Sequence, residues 1–162
     1  MQILLALLVA AVTLAPAGAT LTSIRSTADP LMFSNPVLGI KGTIKPRSGT
    51  RFEVVTIDLG ETAIEAELRQ FTLVTSTGSA FEPIAAGGGA DLIFPIDSMP
   101  VGREIGQILP NAAEISLTRT TPTAVSLHAD PHGSLAFVFQ VPDGETLRVL
   151  KLPDGAELPL KQ

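Results

Sequence analysis

Proline and glycine interrupt this chain at short and regular intervals, which limits the length of any helix. The 162 residues include 13 prolines and 14 glycines, spread along the whole sequence. Proline removes a backbone donor and breaks a helix interior, whereas glycine favours turns. Turn signals about eight to twelve residues apart are typical of chains built from short strands. The sequence therefore predicts an all-β fold.

Between these turns the apolar residues alternate with a period of two, as a half-buried strand requires. Residues 134–141 are apolar on both faces, with large side chains on one face and smaller ones on the other: Leu135, Phe137, Phe139 and Val141, then Ala136 and Val138. Because both faces are apolar, we expect this strand to lie centrally, covered on both sides. The turn at 142–144 then predicts residues 146–152 as its partner strand. Val55, Ile57 and Leu59 are predicted to share one face of another strand.

The pattern predicts an antiparallel β-sandwich with little helix. One short helix is expected near residues 101–109, where Ile105, Ile108 and Leu109 have helical spacing before Pro110. Residues 85–90 (AAGGGA) are predicted to be a flexible loop tip. The final residues form either an edge strand or a tail.

The N-terminal segment reads as a secretory signal peptide. Residues 1–19 carry no charged side chain, and residues 3–14 form an apolar run, with Thr13 as its one polar residue, that ends before an Ala-x-Ala cleavage pattern. A run of twelve residues is too short to span a bilayer core, which needs about twenty apolar residues. We therefore expect cleavage between Ala19 and Thr20, a single domain over 20–162, no membrane span after cleavage, and a periplasmic or secreted protein.

Three segments, in order, resemble a family of small bacterial secreted immunoglobulin-like domains. The segments are 48–57 (SGTRFEVVTI), the hairpin pattern over 71–83, and 133–142 with its alternating Leu and Phe. The family occurs on many lipoproteins and is similar in fold to a mycobacterial secreted immunoprotein. The resemblance implies an immunoglobulin-like sandwich and supplies no catalytic residues. This chain lacks the family's lipoprotein cysteine, and Asp58 stands where an asparagine is usual.

Composition excludes several classes of function. The formal net charge of −5 and the scattering of 11 Lys and Arg argue against a nucleic-acid partner, which needs a basic stripe. The chain has seven Phe but no Trp and no Tyr, which argues against carbohydrate recognition by stacking. It has no cysteine and no recognisable nucleophile motif, so we expect no enzyme activity and no cofactor.

Two sets of residues remain as candidate sites. The first is an apolar stretch, Leu92, Ile93, Phe94 and Ile96, which forms either an exposed contact patch or a short strand folded inward. The second is His128, Asp130 and His132, whose side chains would project to one side of an extended segment as a partial metal site. The alternative for the second set is a solvated turn before the strand at 134.

We therefore expect a secreted, non-enzymatic binding module of the bacterial cell envelope, with an envelope or extracellular protein as its partner. Function on such a scaffold lies in its loops, here residues 85–98 and 120–132. The alternative is a periplasmic carrier or sensor of a metal or small ligand that uses the segment from His128 to His132.

Overall fold

The computed structural model describes residues 18–35, 40–88, 91–93, 107–108, 115–121 and 124–161. The described chain is an antiparallel all-β sandwich, and its only helical element is a single 3₁₀ turn at Leu68–Gln70. The strands, in chain order, are β1 (Thr20–Thr27), β2 (Leu31–Asn35), β3 (Ile40–Ile44), β4 (Thr50–Asp58), β5 (Ile64–Glu67), β6 (Thr72–Thr75), β7 (Ala80–Phe81), β8 (Ala85–Gly88), β9 (Asp91–Ile93), β10 (Gln107–Ile108), β11 (Ile115–Thr121), β12 (Ala124–Ala129), β13 (Ser134–Pro142), β14 (Leu147–Lys151) and β15 (Glu157–Pro159).

These strands form three main sheets and one hairpin. The largest sheet has the order β1-β4-β13-β8-β9, and two four-stranded sheets have the orders β10-β11-β12-β5 and β15-β14-β6-β7. The hairpin is formed by β2 and β3. The five-stranded sheet lies in the middle of the fold, because its two faces carry separate apolar cores.

The alternation along β4 and β13 separates these two cores. Val55, Ile57 and the large residues of β13 pack into the main core with side chains from both four-stranded sheets. Phe52 and Val54, together with the small residues of β13, pack on the opposite face, where the β2–β3 hairpin contributes Leu31. The prediction that 134–141 is a central strand covered on both sides is confirmed.

Aromatic contacts occupy the centre of the main core. The rings of Phe71 and Phe137 lie 4.4 Å apart between centroids, and the ring of Phe139 lies 6.3 Å from that of Phe137. All three side chains are fully buried. The seven phenylalanines of the chain thus include a packed core cluster, and these three offer no exposed stacking surface.

Two local predictions of strand position and pairing are wrong. Residues 85–88 are not a loop tip but strand β8, which pairs with β13 and β9. The strand after the 142–144 turn, β14, pairs with β6 and β15 rather than with β13. Small residues explain the first error, since Ala85 and Ala86 fit a buried strand between large neighbours. The second arises because the turn carries the chain from one layer of the sandwich to the other.

The expected helix near 101–109 is contradicted where it can be compared. Gln107 and Ile108 form strand β10, which pairs with β11. The other residues of that range lie outside the described part of the chain.

The hairpin predicted over 71–83 is confirmed: β6 and β7 pair, and Gly78 at the turn has a φ of +88°. The final residues form an edge strand, β15, rather than a tail.

Candidate binding groove

A groove separates two sheet edges that lie on the same side of the central sheet. Strand β5 is the last strand of one four-stranded sheet, and β15 is the first strand of the other. The groove has a volume of about 550 Å³, within the roughly 300–1,000 Å³ of ligand pockets. Its lining residues are Gly18, Ala19, Thr20, Thr62, Ala63, Ile64, Glu65, Ala66, Leu152, Pro153, Asp154, Ala156, Glu157 and Leu158.

The open edges of β5 and β15 each offer unpaired backbone groups. The residues that flank β15, Ala156 and Leu160, point their backbone groups toward β14. Leu152 N donates to Ala156 O and Leu160 N donates to Arg148 O, both at 2.9 Å. Because backbone groups alternate in direction along a strand, the N–H and C=O of Glu157 turn away from β14. Pro159 has no N–H, so the open stretch on this edge is short.

The same alternation holds on β5. The amide of Glu67 donates to the Gln70 Oε1 at 2.8 Å, so it turns away from β12 and is capped by its own chain. The N–H and C=O of Glu65 therefore also turn away from β12, toward the open side. Each edge thus presents one donor–acceptor pair, at Glu65 and at Glu157.

Side chains along both edges alternate between core and solvent. Ile64 and Ala66 on β5 contact the main core, as do Ala156 and Leu158 beside and on β15. Glu65 and Glu157 are exposed and lie on the solvent face. The groove therefore has an apolar floor and an acidic rim, the same arrangement on both sides.

No lysine or arginine is among the described residues that line the groove. The carboxylate of Glu65 forms no ion pair with any residue that the structure describes. Glu157 Oε1 lies 3.5 Å from Lys151 Nζ, an exposed pair of small energetic value. Asp154 Oδ1 accepts a hydrogen bond from Ala156 N at 2.9 Å, which fixes the β14–β15 turn. The rim keeps a net negative charge.

The histidine segment is brought together only in part. His128 Nε2 lies 3.1 Å from Asp130 Oδ1, and both side chains are at least partly exposed. His132 does not join them, because the chain is not extended there: its φ is +63° and its amide donates to Gly60 O at 2.5 Å. Among the described residues no three histidine, aspartate or glutamate side chains are grouped to hold a metal. His128 lies on β12, and Asp130 and His132 lie in the turn between β12 and β13.

The apolar stretch lies at another edge. Leu92 and Ile93 are part of β9, the outermost strand of the central sheet, where they pair with Gly87 and Ala86. Phe94 and Ile96 lie outside the described residues. The backbone of Leu92 and Ile93 therefore matches the short-strand alternative. Within the range 85–98 that was predicted to be a loop, residues 85–88 and 91–93 form strands, and the others lie outside the described residues. The 120–132 loop is likewise largely strand β12.

Sequence reasoning missed a buried ion pair. Glu53 is fully buried, and its carboxylate accepts from Ser26 Oγ at 2.5 Å and from Arg51 Nε at 2.5 Å. Arg51 also donates from Nη1 to Pro142 O at 2.9 Å and from Nη2 to Glu145 O at 2.7 Å. The cluster is closed to solvent on the carboxylate side, so its role is to hold β1, β4 and the 142–145 turn together. One sequence signal could have found it: residues 53, 55 and 57 alternate with period two, so Glu53 is predicted to share the inward face of Val55 and Ile57.

The groove was also missed, and no sequence signal alone could reveal it. Strands β5 and β15 are about ninety residues apart, and their edge positions depend on pairings made with other strands. The acidic side chains at 65 and 157 fit the ordinary pattern of a charged, protected edge.

Comparison with known proteins gives no relative for this fold. No family model, no curated protein and no solved structure matches the chain. In the described part of the chain no helix is long and apolar enough to cross a membrane.

Proposed function

We propose that this protein is a secreted, non-enzymatic binding module of the bacterial cell envelope and that it contacts a partner protein through the groove between β5 and β15. The observation that carries the proposal is the groove itself: an apolar floor, an acidic rim and two open strand edges. An exposed strand edge is a template for pairing with another chain, and Glu65 and Glu157 keep such an edge open on each side of the groove. The groove presents apolar contacts, carboxylates and open backbone groups, which suits the binding of another chain.

The proposed location outside the cytoplasm rests on the N-terminal sequence. The apolar run of residues 3–14 lies outside the described residues. Thr20 is the first residue of β1, so cleavage after Ala19 would leave that strand whole. Cleavage would also remove Gly18 and Ala19 from the groove and so widen it.

The immunoglobulin-like assignment is part of the same proposal. It is supported by the order of the three resembling segments and by the antiparallel layered arrangement in which they lie. The segments at 48–57 and 133–142 form most of β4 and β13, which pair along their full length.

Carriage of a small ligand is the second candidate, and the volume of the groove favours it over a metal site. About 550 Å³ is enough for a small organic molecule. The pair of His128 and Asp130 supplies only two donors, whereas a structural zinc site takes four ligands.

Comparative affinity capture tests the proposal. The chain, tagged at its C-terminus, is used to recover partners from its own envelope and medium, alongside Ala63→Trp and Ala80→Trp variants. Ala63 is exposed and lines the groove, so a tryptophan there fills it without disturbing the core. Ala80 is an exposed alanine on β7, at the opposite edge of the β15-containing sheet, and serves as the matched control.

We expect one protein at near-equal stoichiometry with the unmodified chain and with Ala80→Trp, and its loss with Ala63→Trp. Equal recovery by all three would exclude the groove as the contact site. Recovery of no protein by the unmodified chain, together with a small molecule released on denaturation, would replace the proposal with the second candidate.

A further inference from the structure

The two edges of the groove, β5 and β15, could each pair with one further strand lying between them. Strand β5 ends one four-stranded sheet and β15 ends the other, and both sheets pack on the same face of the central sheet. A single extended segment between them would join the two sheets into one continuous layer. We propose that the groove takes an extended segment of the partner as an inserted β-strand, with apolar side chains facing inward and a lysine or arginine between Glu65 and Glu157; this rests on the proposed function.

Backbone geometry supports insertion rather than contact through side chains alone. Glu65 and Glu157 each present one N–H and one C=O on the open side of their strands, as the alternation along β5 and β15 requires. An inserted strand would satisfy both pairs. Gln70 caps the next amide of β5, and Pro159 removes the next donor of β15, so the insertion site is short.

The alternation of side chains sets the chemistry of the segment. In a sheet, neighbouring residues on adjacent strands share a face, and their side chains contact one another. Inward-facing residues of the segment would meet Ala66, Ala156 and Leu158, which favours apolar side chains. The outward-facing residue would lie between the carboxylates of Glu65 and Glu157, which favours a cation and disfavours an acidic side chain.

The surrounding charges do not neutralise this preference. Lys151 lies 3.5 Å from Glu157, whereas Glu65, whose cross-strand neighbour is His128, and Asp154 form no ion pair with a described residue. The formal net charge of the whole protein is −5, which favours the approach of a basic segment at low salt.

Calorimetric titration of the full chain with synthetic peptides tests the inference. The first probe is a capped heptapeptide that alternates valine and lysine, and the second alternates valine and glutamate. We expect the lysine peptide to bind at least about tenfold more tightly, because two favourable cross-strand pairs are replaced by two repulsive ones. A third probe is the lysine peptide methylated on alternate backbone nitrogens. It should bind about tenfold more weakly than the unmethylated lysine peptide, because it cannot donate hydrogen bonds to one of the two strand edges.

Two variants assign the preference to the groove. Glu65→Lys should abolish or reverse the preference, whereas Glu82→Lys, an equal change of charge at an exposed residue outside the groove, should leave it unchanged. Both residues are exposed, so thermal melts should show that both variants fold.

Equal affinity for the lysine and glutamate peptides, or the same loss with both variants, would overturn the basic preference. Full binding of the methylated peptide would overturn the inserted strand. Failure of every peptide to bind at millimolar concentration would also overturn the inserted strand, while partner capture that depends on Ala63 would still support the proposed function.

Discussion

Removal of Arg51 leaves a fully buried carboxylate without its cation, and the stability of the fold should fall accordingly. In Arg51→Met, Glu53 keeps only the Ser26 hydroxyl, and the carbonyls of Pro142 and Glu145 lose their guanidinium donor. Breaking a buried pair at one partner costs about 3–5 kcal/mol. Because the Arg51 side chain is 18% exposed and water can enter its place, we expect the lower end, about 3 kcal/mol.

Urea unfolding followed by circular dichroism measures this loss. With a slope of about 2 kcal/mol per molar urea, the midpoint should fall by about 1.5 M. Such a loss is a large share of the roughly 5–15 kcal/mol that stabilises a domain. The double variant with Glu53→Met should recover most of the stability, since replacing both charges by apolar side chains of similar volume is close to neutral.

The matched control is the exposed pair of Arg69 and Glu67. Its Nε–Oε2 distance is 2.6 Å, but the two side chains are 57% and 39% exposed. Arg69→Met should therefore cost at most about 1 kcal/mol. Equal losses for Arg51→Met and Arg69→Met would refute the account of the buried pair, as would a double variant no more stable than Arg51→Met.

Four further outcomes are expected, each read by thermal or urea unfolding. Phe137→Ala should lower the free energy of unfolding by about 3–5 kcal/mol, because its ring is fully buried against two others; a loss below about 1 kcal/mol would contradict that packing. His132→Gly should be neutral or stabilising by at most about 1 kcal/mol, whereas His132→Val should cost about 1 kcal/mol, because φ is +63° there; the opposite order would argue against the turn geometry. Gly144→Ala should cost about 1 kcal/mol from its φ of +86° alone, since an added Cβ meets no atom within 4 Å, and an unchanged midpoint would refute this. Tenfold excess zinc should leave Tm unmoved, and a rise that His128→Ala abolishes would restore the metal hypothesis.

The sequence was sufficient for the strands whose pattern is local. The double alternation of residues 134–141 predicted a central strand with two covered faces, because a period of two assigns each side chain to a face without knowledge of the partners. The hairpin at β6 and β7 was predictable for the same reason, since its turn chemistry lies within the chain segment that it connects.

The sequence was not sufficient where pairing decides the structure. Strand β8 is made of alanine and glycine, which have weak strand preference and form a strand here because β13 and β9 lie on either side. The partner of β14 was mispredicted because a tight turn usually joins neighbouring strands, whereas this one joins two layers. The candidate groove depends on which strands remain at edges, and no local pattern contains that information.

The arrangement of the candidate metal residues could not be predicted from the sequence either, because it depends on the conformation of one turn. The spacing of His128, Asp130 and His132 places three side chains together only if the backbone stays extended. The left-handed conformation of His132, fixed by its bond to Gly60, separates it from the other two. The turn residues between them were visible in the sequence, but the left-handed conformation of His132, which separates the side chains, was not.

Amide hydrogen exchange shows directly whether a peptide strand pairs with both edges of the groove. The exchange rates of the Glu65 and Glu157 amides are measured by NMR with and without the valine–lysine peptide, and the Ala80 amide on the opposite edge serves as the internal reference. We predict that the peptide slows exchange at both Glu65 and Glu157 and leaves Ala80 unchanged. Binding of the peptide with no slowing at either glutamate, or with slowing at Ala80 instead, would contradict the groove as the site of strand insertion.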